Sequence, residues 1–190
     1  MNCCDDFLDI KEKLKEILSE YRYQHSLGVA DASFLLAERH GVNTQKAYLA
    51  GLLHDCAKEL SLCKQVALAL RSDYAFDLYQ ILFPSLLHAP AGSVYAKKEF
   101  GIEDEEVLKV IAKHILGTPN MSDLEKIVFV SDYFEENRIL PWKEEIRVAA
   151  YNDLDSAVLL SCGVTIDYLQ RSGKRIHPKL LKTRDYYRNL

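Results

Sequence analysis

The segment LLHDCAKE, residues 52–59, places an imidazole and a carboxylate side by side at the edge of an apolar stretch. His54 and Asp55 follow two leucines, and Lys58 and Glu59 come close behind. Because the chain has six histidines in 190 residues, one such pair arises readily by chance, as the polar end of a helix that faces water. The alternative is a metal site, since neutral imidazoles and carboxylates suit first-row transition metals.

Other histidines and aspartates stand at comparable positions. His25 lies on the polar edge of a predicted helix, His88 follows two leucines, and His114 closes the apolar stretch VLKVIAKH. Asp132 interrupts the apolar run IVFVSDYF, where an unpaired carboxylate would be costly to bury. Each residue alone has an ordinary interpretation, either a hydrogen-bonded core histidine or an aspartate that faces solvent. Together with the His54 pair, they favour a metal site to which several helices contribute ligands.

Adjacent residues point about 100° apart on a regular helix, so His54 and Asp55 cannot share one helix face. A helix that ends at this point could turn both side chains toward one ion. The nitrogen donors favour iron, manganese, cobalt or zinc. Calcium, by contrast, prefers sites made only of oxygen atoms.

The elements that must position these residues are helices. Apolar residues recur at helical spacing along most of the chain, and no alternating strand pattern of any length is present. Gly41 is a natural helix terminator, and Ser122 and Glu125 have capping-box spacing before the apolar run 127–130. The predicted helices lie near 7–18, 27–40, 44–54, 61–71, 73–82, 84–101, 103–114, 122–130 and 144–160.

We therefore predict one all-α domain over residues 1–190. Its bundle core covers about 20–140, and further helices with a basic, aromatic tail (residues 174–190) pack on that core from 141 onward. No repeat, low-complexity tract or linker divides the chain.

Composition narrows the classes of protein. The chain is 48% hydrophobic and carries a net charge of −4, which argues against a protein that binds a nucleic-acid polymer. The acidic start MNCCDDFLDIKEKL lacks an uninterrupted apolar region, so we expect no signal peptide, and no apolar run is long enough to span a membrane. The five cysteines, an odd number without zinc-site spacing, indicate reduced thiols in a cytosolic protein: Cys3, Cys4, Cys56, Cys63 and Cys162.

The order His, His-Asp, His, His, Asp in an all-helical chain resembles the HD-domain metal-dependent phosphohydrolases. Five segments are similar to the YqeK branch of that superfamily, whose members are symmetrical hydrolases of diadenosine tetraphosphate. They are LLHDCAKEL, LLHAPAGS, KHILGTPNMS, KIVFVSDYFEENR and HPKLLKTRDYYRN, and the resemblance extends from His25 to the tail. The family typically has His-Thr-Thr-Gly where this chain has His114-Ile115-Leu116-Gly117, so two hydroxyl groups are replaced by apolar side chains.

The resemblance implies an HD-domain helical bundle with a metal between its helices, bound by His25, His54, Asp55 and Asp132. We expect iron, with manganese, cobalt or zinc as alternatives. It also implies that metal-activated water splits the tetraphosphate symmetrically into two nucleoside diphosphates.

Three cations near the predicted ligands are candidates for binding substrate phosphates, and the alternative for each is an ordinary surface cation. Lys58 follows Asp55 by one turn, and Arg138 lies close to Asp132 in the sequence. Arg22, three residues before His25, would share its helix face. We assign all three to nucleotide binding.

His88 and His114 have two interpretations. They could bind a second metal bridged to the first by Asp55, or donate hydrogen bonds to substrate phosphates and the leaving group. Both are counted as catalytic and nucleotide-binding residues, and Asp55 and Lys58 are counted as catalytic with them.

In the tail, Arg175 and His177 are assigned to a wall over the nucleotide, on the strength of the resemblance. The alternative is a basic C-terminal helix packed by its tyrosines. His40 is interpreted as a residue of a helix C-terminus, and Cys56 as a packing residue.

Two further functions stay open at this stage. One is an HD-type nucleotidase or cyclic-nucleotide phosphodiesterase, and the other is a nucleotide-binding regulatory module that has lost its metal chemistry. The expected partner is a small-molecule nucleotide, with neither a nucleic-acid polymer nor a membrane, and a homodimer remains an alternative to the monomer.

Overall fold

The computed structural model describes residues 7–74 and 77–190. These ranges contain ten α-helices and two 3₁₀ segments and no strand, which confirms the all-α prediction. The α-helices are α1 (Leu8–Ile17), α2 (Glu20–His40), α3 (Thr44–Leu53), α4 (Leu62–Ala69), α5 (His88–Phe100), α6 (Glu105–Lys113), α7 (Asp123–Phe134), α8 (Lys143–Asn152), α9 (Leu154–Arg171) and α10 (Pro178–Arg188). The 3₁₀ segments are Leu78–Leu82 and Pro84–Leu86.

Local side-chain chemistry sets several helix ends where the sequence predicts them. Helix α2 ends at Gly41, whose φ of 68° is a left-handed conformation that glycine adopts without steric cost, and α5 ends in the same way at Gly101. Helix α7 begins with the predicted capping box: the Ser122 hydroxyl accepts from the Glu125 N–H, and the Glu125 carboxylate accepts from the Ser122 N–H.

The long helix predicted over 144–160 is wrong, because the chain forms two helices there, α8 and α9. Asp153 separates them in an extended conformation, with φ −152° and ψ 113°. Its carboxylate accepts hydrogen bonds from the backbone N–H groups of Asp155 and Ser156, and so caps the start of α9. The apolar periodicity continues through this break.

The helix predicted over 73–82 is also wrong. In the described residues of this range, 73–74 and 77–82, the structure has the 3₁₀ segment Leu78–Leu82 and no α-helix. A capping box between Asp77 and Gln80 starts that segment, and Pro84 follows its end. Residues 75 and 76 of the predicted helix, together with Cys3 and Cys4, lie outside the described residues. The tail is helical, as α10.

Helix α7 lies at the centre of the bundle. It packs against α2, α3, α8 and α9, and its apolar run from Ile127 to Val130 is fully buried. These four consecutive apolar residues cover all sides of the helix, and other helices enclose the helix on several sides, so all four side chains are buried. Asp132 follows directly in the same helix, so the core fixes the position of its backbone.

Helices α2 and α3 cross very closely at Gly51. A Cβ atom at this position would lie 2.9 Å from the Val29 carbonyl oxygen and 3.0 Å from the Ala30 Cα, both backbone atoms of α2. Only a residue without a side chain permits this distance between the helices. The crossing lies one turn before His54, and so determines how closely the end of α3 approaches α2.

No helix in the described ranges is both long enough and apolar enough to cross a membrane. The three cysteines within those ranges form no disulfide: Cys56 and Cys162 are buried, and Cys63 is exposed.

We predict that Gly51→Ala lowers the free energy of unfolding by about 1–3 kcal/mol, the usual cost of overpacking, because the added methyl group meets backbone that cannot move aside. Gly163→Ala is the matched control: it lies within α9, and its Cβ would meet nothing within 4 Å. That substitution should raise the stability by about 0.5–1 kcal/mol through helix propensity. Urea unfolding of the metal-free proteins measures both, and a Gly51→Ala variant as stable as the native protein would contradict the close crossing.

Candidate metal centre

Three elements bring the four predicted metal ligands together. His25 lies within α2, Asp132 lies near the end of α7, and His54 and Asp55 follow the last residue of α3. The chain turns sharply after α3, since the Cys56 N–H donates to the Leu53 carbonyl and the Lys58 N–H to the Asp55 carbonyl. The helix thus ends where the sequence analysis required it to end, and both members of the pair face the same point.

The donor atoms of His25, His54 and Asp55 all lie within 4.8 Å of one another, which suits one ion, and Asp132 joins this group through its contact with His25. His25 Nε2 lies 3.2 Å from His54 Nε2, 3.1 Å from Asp132 Oδ1 and 3.8 Å from Asp55 Oδ2. His54 Nε2 lies 3.5 Å from Asp55 Oδ2. A metal with bonds of about 2.1 Å separates neighbouring ligand atoms by about 3.0–3.4 Å, from octahedral to tetrahedral angles.

The hydrogen bonds of the two imidazoles leave their Nε2 lone pairs facing each other. His54 Nδ1 donates to the Gly51 carbonyl oxygen at 2.6 Å, and His25 Nδ1 donates to a carboxylate oxygen of Glu135 at 3.1 Å. Each Nδ1 therefore carries the hydrogen. Two buried lone pairs 3.2 Å apart, beside two carboxylates, repel unless a cation or proton lies between them, so this donor set fits a metal ion.

Asp55 also faces a second group of histidines with its other oxygen. Asp55 Oδ1 lies 3.0 Å from His88 Nε2 and 3.6 Å from His114 Nε2. His114 Nδ1 donates to the Ile111 carbonyl oxygen at 2.8 Å. The three side chains are buried and could hold a further ion, which leaves both interpretations of His88 and His114 open.

Three cations surround the cluster. Arg22 Nη1 donates to Asp55 Oδ2 at 2.6 Å, and Arg138 Nη2 donates to Asp132 Oδ1 at 2.6 Å. Lys58 Nζ lies 2.9 Å from His88 Nε2 and 3.9 Å from Asp55 Oδ1. The two guanidinium groups thus contact oxygens that also face the His25 and His54 nitrogens.

Burial and neighbouring charges set the protonation of these groups. Burial alone would raise the pKa of Asp55, but the imidazoles of His54, His114 and His88 hold that pKa well below its ordinary value. Burial lowers the pKa of His54 and lowers the pKa of His88 to about 4, so both rings are neutral at pH 7. Burial also lowers the pKa of Lys58. Burial would lower the pKa of His25, but its hydrogen bonds to Asp132 and Glu135 raise it. Because a metal needs ionised carboxylates and neutral imidazoles, metal binding would displace any proton held by His25.

The two tail residues lie apart from this cluster, on the wall of a neighbouring cavity of about 410 Å³. Arg175 and His177 line it together with Ile115 and Leu116, the two residues that follow His114. The ring of Phe83, also in the wall, lies 5.3 Å from the His177 ring. The two apolar residues that replace the family's hydroxyl pair are therefore part of an apolar cavity wall.

Two carboxylates of the site were missed by the sequence analysis. Glu59 accepts hydrogen bonds from the Ser19 N–H at 2.5 Å and the Ser19 hydroxyl at 2.6 Å, and so ties the turn after α3 to the start of α2. Glu135, which accepts from His25, is only 1% exposed. Both lie within a few residues of a predicted ligand, which was the available signal. Glu59 is exposed, whereas the buried carboxylate of Glu135 needs a partner.

Comparisons with known proteins place the chain in a family. The HD domain family model matches residues 22–137. The chain is 42% identical over 172 residues to a protein of Halalkalibacterium halodurans named "Bis(5'-nucleosyl)-tetraphosphatase, symmetrical", covering 90% of each chain. It is 35% identical to a protein of the same name from Bacillus subtilis, covering 90% of this chain and 91% of the relative.

A solved structure has the same fold. The crystal structure of a "predicted HD superfamily hydrolase involved in NAD metabolism" from Clostridium acetobutylicum superposes with a TM-score of 0.90 at 40% identity, and the match covers 95% of this chain and 96% of the other. With the matching family model and these relatives, the chain belongs to the HD domain family.

Proposed function

We propose that this protein hydrolyses dinucleoside tetraphosphates, with diadenosine tetraphosphate as the expected substrate, symmetrically into two nucleoside diphosphates. The observation that carries the proposal is the buried cluster of imidazole nitrogens and carboxylate oxygens. A cavity of about 410 Å³ has in its wall Ile115, the residue that follows His114. The names of the two curated relatives support the same reaction.

In this proposal, His25, His54, Asp55 and Asp132 hold the metal. Their mixture of nitrogen and oxygen donors suits iron, with manganese, cobalt or zinc as alternatives. When bound, such a metal would lower the pKa of water to about 7 and offset phosphate charge, which supplies a nucleophile at neutral pH.

His88, His114 and Lys58 would contact the reacting phosphates. Because His88 is neutral at pH 7, it would act as a hydrogen-bond donor and not as a cation. Lys58 Nζ lies 2.9 Å from the His88 ring and within reach of a phosphate held beside Asp55. A second metal held by Asp55, His88 and His114 is the alternative role for these histidines.

Arg22 and Arg138 would neutralise the phosphate chain while they keep their contacts with the ligand carboxylates. Within the described residues, the buried Nε of Arg22 has no hydrogen-bond partner. A buried donor without an acceptor is costly, and a phosphate oxygen would satisfy it. Arg138 already uses its Nε and one Nη on Asp132, which leaves its remaining N–H groups for the substrate.

The cavity beside the cluster would bind one nucleoside. Its volume of about 410 Å³ is within the usual range for small-molecule sites, about 300–1,000 Å³. Its wall combines apolar side chains, including Phe83, Ile115 and Leu116, with Arg175 and His177. Apolar surface suits a purine ring and the polar residues would fix its orientation, so one half of the substrate is held while the other half extends outward.

The proposed reaction breaks the central phosphoanhydride bond, between the second and third phosphorus atoms of the chain. We predict that diadenosine tetraphosphate gives only ADP, and that reaction in ¹⁸O water labels one ADP of each pair, because water oxygen enters at one inner phosphorus and the other ADP leaves. Chelator should abolish the reaction. Mass spectrometry of the products measures all three effects.

A mixture of AMP and ATP would contradict symmetrical cleavage. A panel of mononucleotides and cyclic nucleotides, assayed with and without chelator, separates the alternatives. Turnover confined to that panel would favour a nucleotidase or cyclic-nucleotide phosphodiesterase, and binding without turnover would favour a regulatory module.

We predict that Lys58→Ala lowers kcat/KM for diadenosine tetraphosphate by about 10–150-fold, which corresponds to the loss of one charge-assisted contact of about 1.5–3 kcal/mol. The variant should retain its metal, because Lys58 is not among the proposed ligands. Lys15→Ala is the control, since Lys15 is an exposed lysine of α1. Steady-state kinetics with elemental analysis test the prediction, and an unchanged kcat/KM would make Lys58 an ordinary partly buried cation.

A further inference from the structure

The Nδ1 partner of His25 differs in kind from those of His54 and His114. His54 and His114 donate Nδ1–H to a carbonyl three residues earlier in their own helix. His25 instead donates to the carboxylate of Glu135, which lies 110 residues away in the sequence, just after α7. A long-range contact therefore sets the orientation of the His25 ring.

Glu135 is held firmly in place. Its side chain is only 1% exposed, and each of its oxygens has a donor: Oε1 accepts from His25 Nδ1, and Oε2 accepts from the Asn137 N–H at 2.6 Å. Its own backbone N–H donates to the Ser131 carbonyl at the end of α7. The carboxylate thus joins the end of α7 to the middle of α2, the two helices that carry Asp132 and His25.

Gly28 makes room for this carboxylate. It lies one turn after His25 in α2, and a Cβ atom at this position would overlap Oε2 of Glu135 and lie 3.1 Å from its Cδ. Glycine within a helix is destabilising relative to alanine. The close approach of Glu135 is a physical reason for a glycine at this position.

We propose that Glu135 is a positioning residue of the metal site, and that Gly28 provides the space it requires. The carboxylate keeps the hydrogen of His25 on Nδ1 and turns the ring so that the Nε2 lone pair faces His54, Asp55 and Asp132. A carboxylate behind a metal-binding histidine orients the ring and makes the other nitrogen a stronger ligand, and its loss typically weakens metal binding about 10–100-fold. The inference rests on the metal site of the proposed function.

The test measures Co²⁺ affinity of the folded, metal-free protein by optical titration against a competing chelator. Glu135→Ala and Gly28→Ala should each weaken Co²⁺ binding about 10–100-fold and alter the Co²⁺ absorption bands. The double variant should bind within about threefold of Glu135→Ala, because the alanine at position 28 has no carboxylate left to displace. Glu136→Ala, which removes the neighbouring exposed carboxylate, is the control and should bind like the native protein.

Glu135→Gln keeps the shape of the side chain and an acceptor oxygen but loses the charge, so its affinity should fall between those of the native protein and Glu135→Ala. Native Co²⁺ affinity in Glu135→Ala, with only its thermal stability lowered, would overturn the proposal by showing a purely structural role. If Glu135→Ala fails to fold, native affinity in both Glu135→Gln and Gly28→Ala would overturn it. The proposal would also be overturned if Gly28→Ala weakened Co²⁺ binding by the same factor in the native protein and in the Glu135→Ala variant. A native protein that binds no Co²⁺ would instead refute the metal site itself.

Discussion

The convergence of buried lone pairs between α2, α3 and α7 is the constraint on which the rest of the site depends. The nitrogens of His25 and His54 face each other at 3.2 Å, and the carboxylates of Asp55 and Asp132 lie against them. Such a group is electrostatically unfavourable by itself in a buried environment. Arg22 and Arg138 offset part of this charge, and a divalent metal ion would offset it directly.

Several close contacts of the fold hold these donor atoms at short range. Gly51 lets α3 approach α2 closely enough for His54 to reach His25, and the turn after α3 directs Asp55 to the same point. The buried run of α7 fixes Asp132 from the other side, and Glu59 and Glu135 each tie two of these elements together. Asp55 contributes an oxygen to each of two histidine groups, so it connects the proposed metal ligands to the residues expected to contact phosphate.

Features determined by neighbouring residues were predictable from the sequence. Gly41 ends α2 and Ser122 begins α7 as expected, because helix termination and capping depend on local backbone geometry. The break at Asp153 was not predicted, because the apolar periodicity continues past the single capping residue that interrupts the helix. The contact between His25 and Glu135 could not be inferred, because it joins residues 110 positions apart and depends on how α7 packs against α2. The apolar cavity beside His114 is likewise formed by segments distant in sequence.

Anomalous diffraction from crystals of the metal-loaded protein tests the central claim most directly. The account predicts one strong peak between α2, α3 and α7, about 2.0–2.3 Å from Nε2 of His25, Nε2 of His54 and one oxygen each of Asp55 and Asp132. A second peak beside His88 and His114 would add an ion without altering that assignment. A protein whose only ordered metal lies away from His25 and Asp132 would contradict the account.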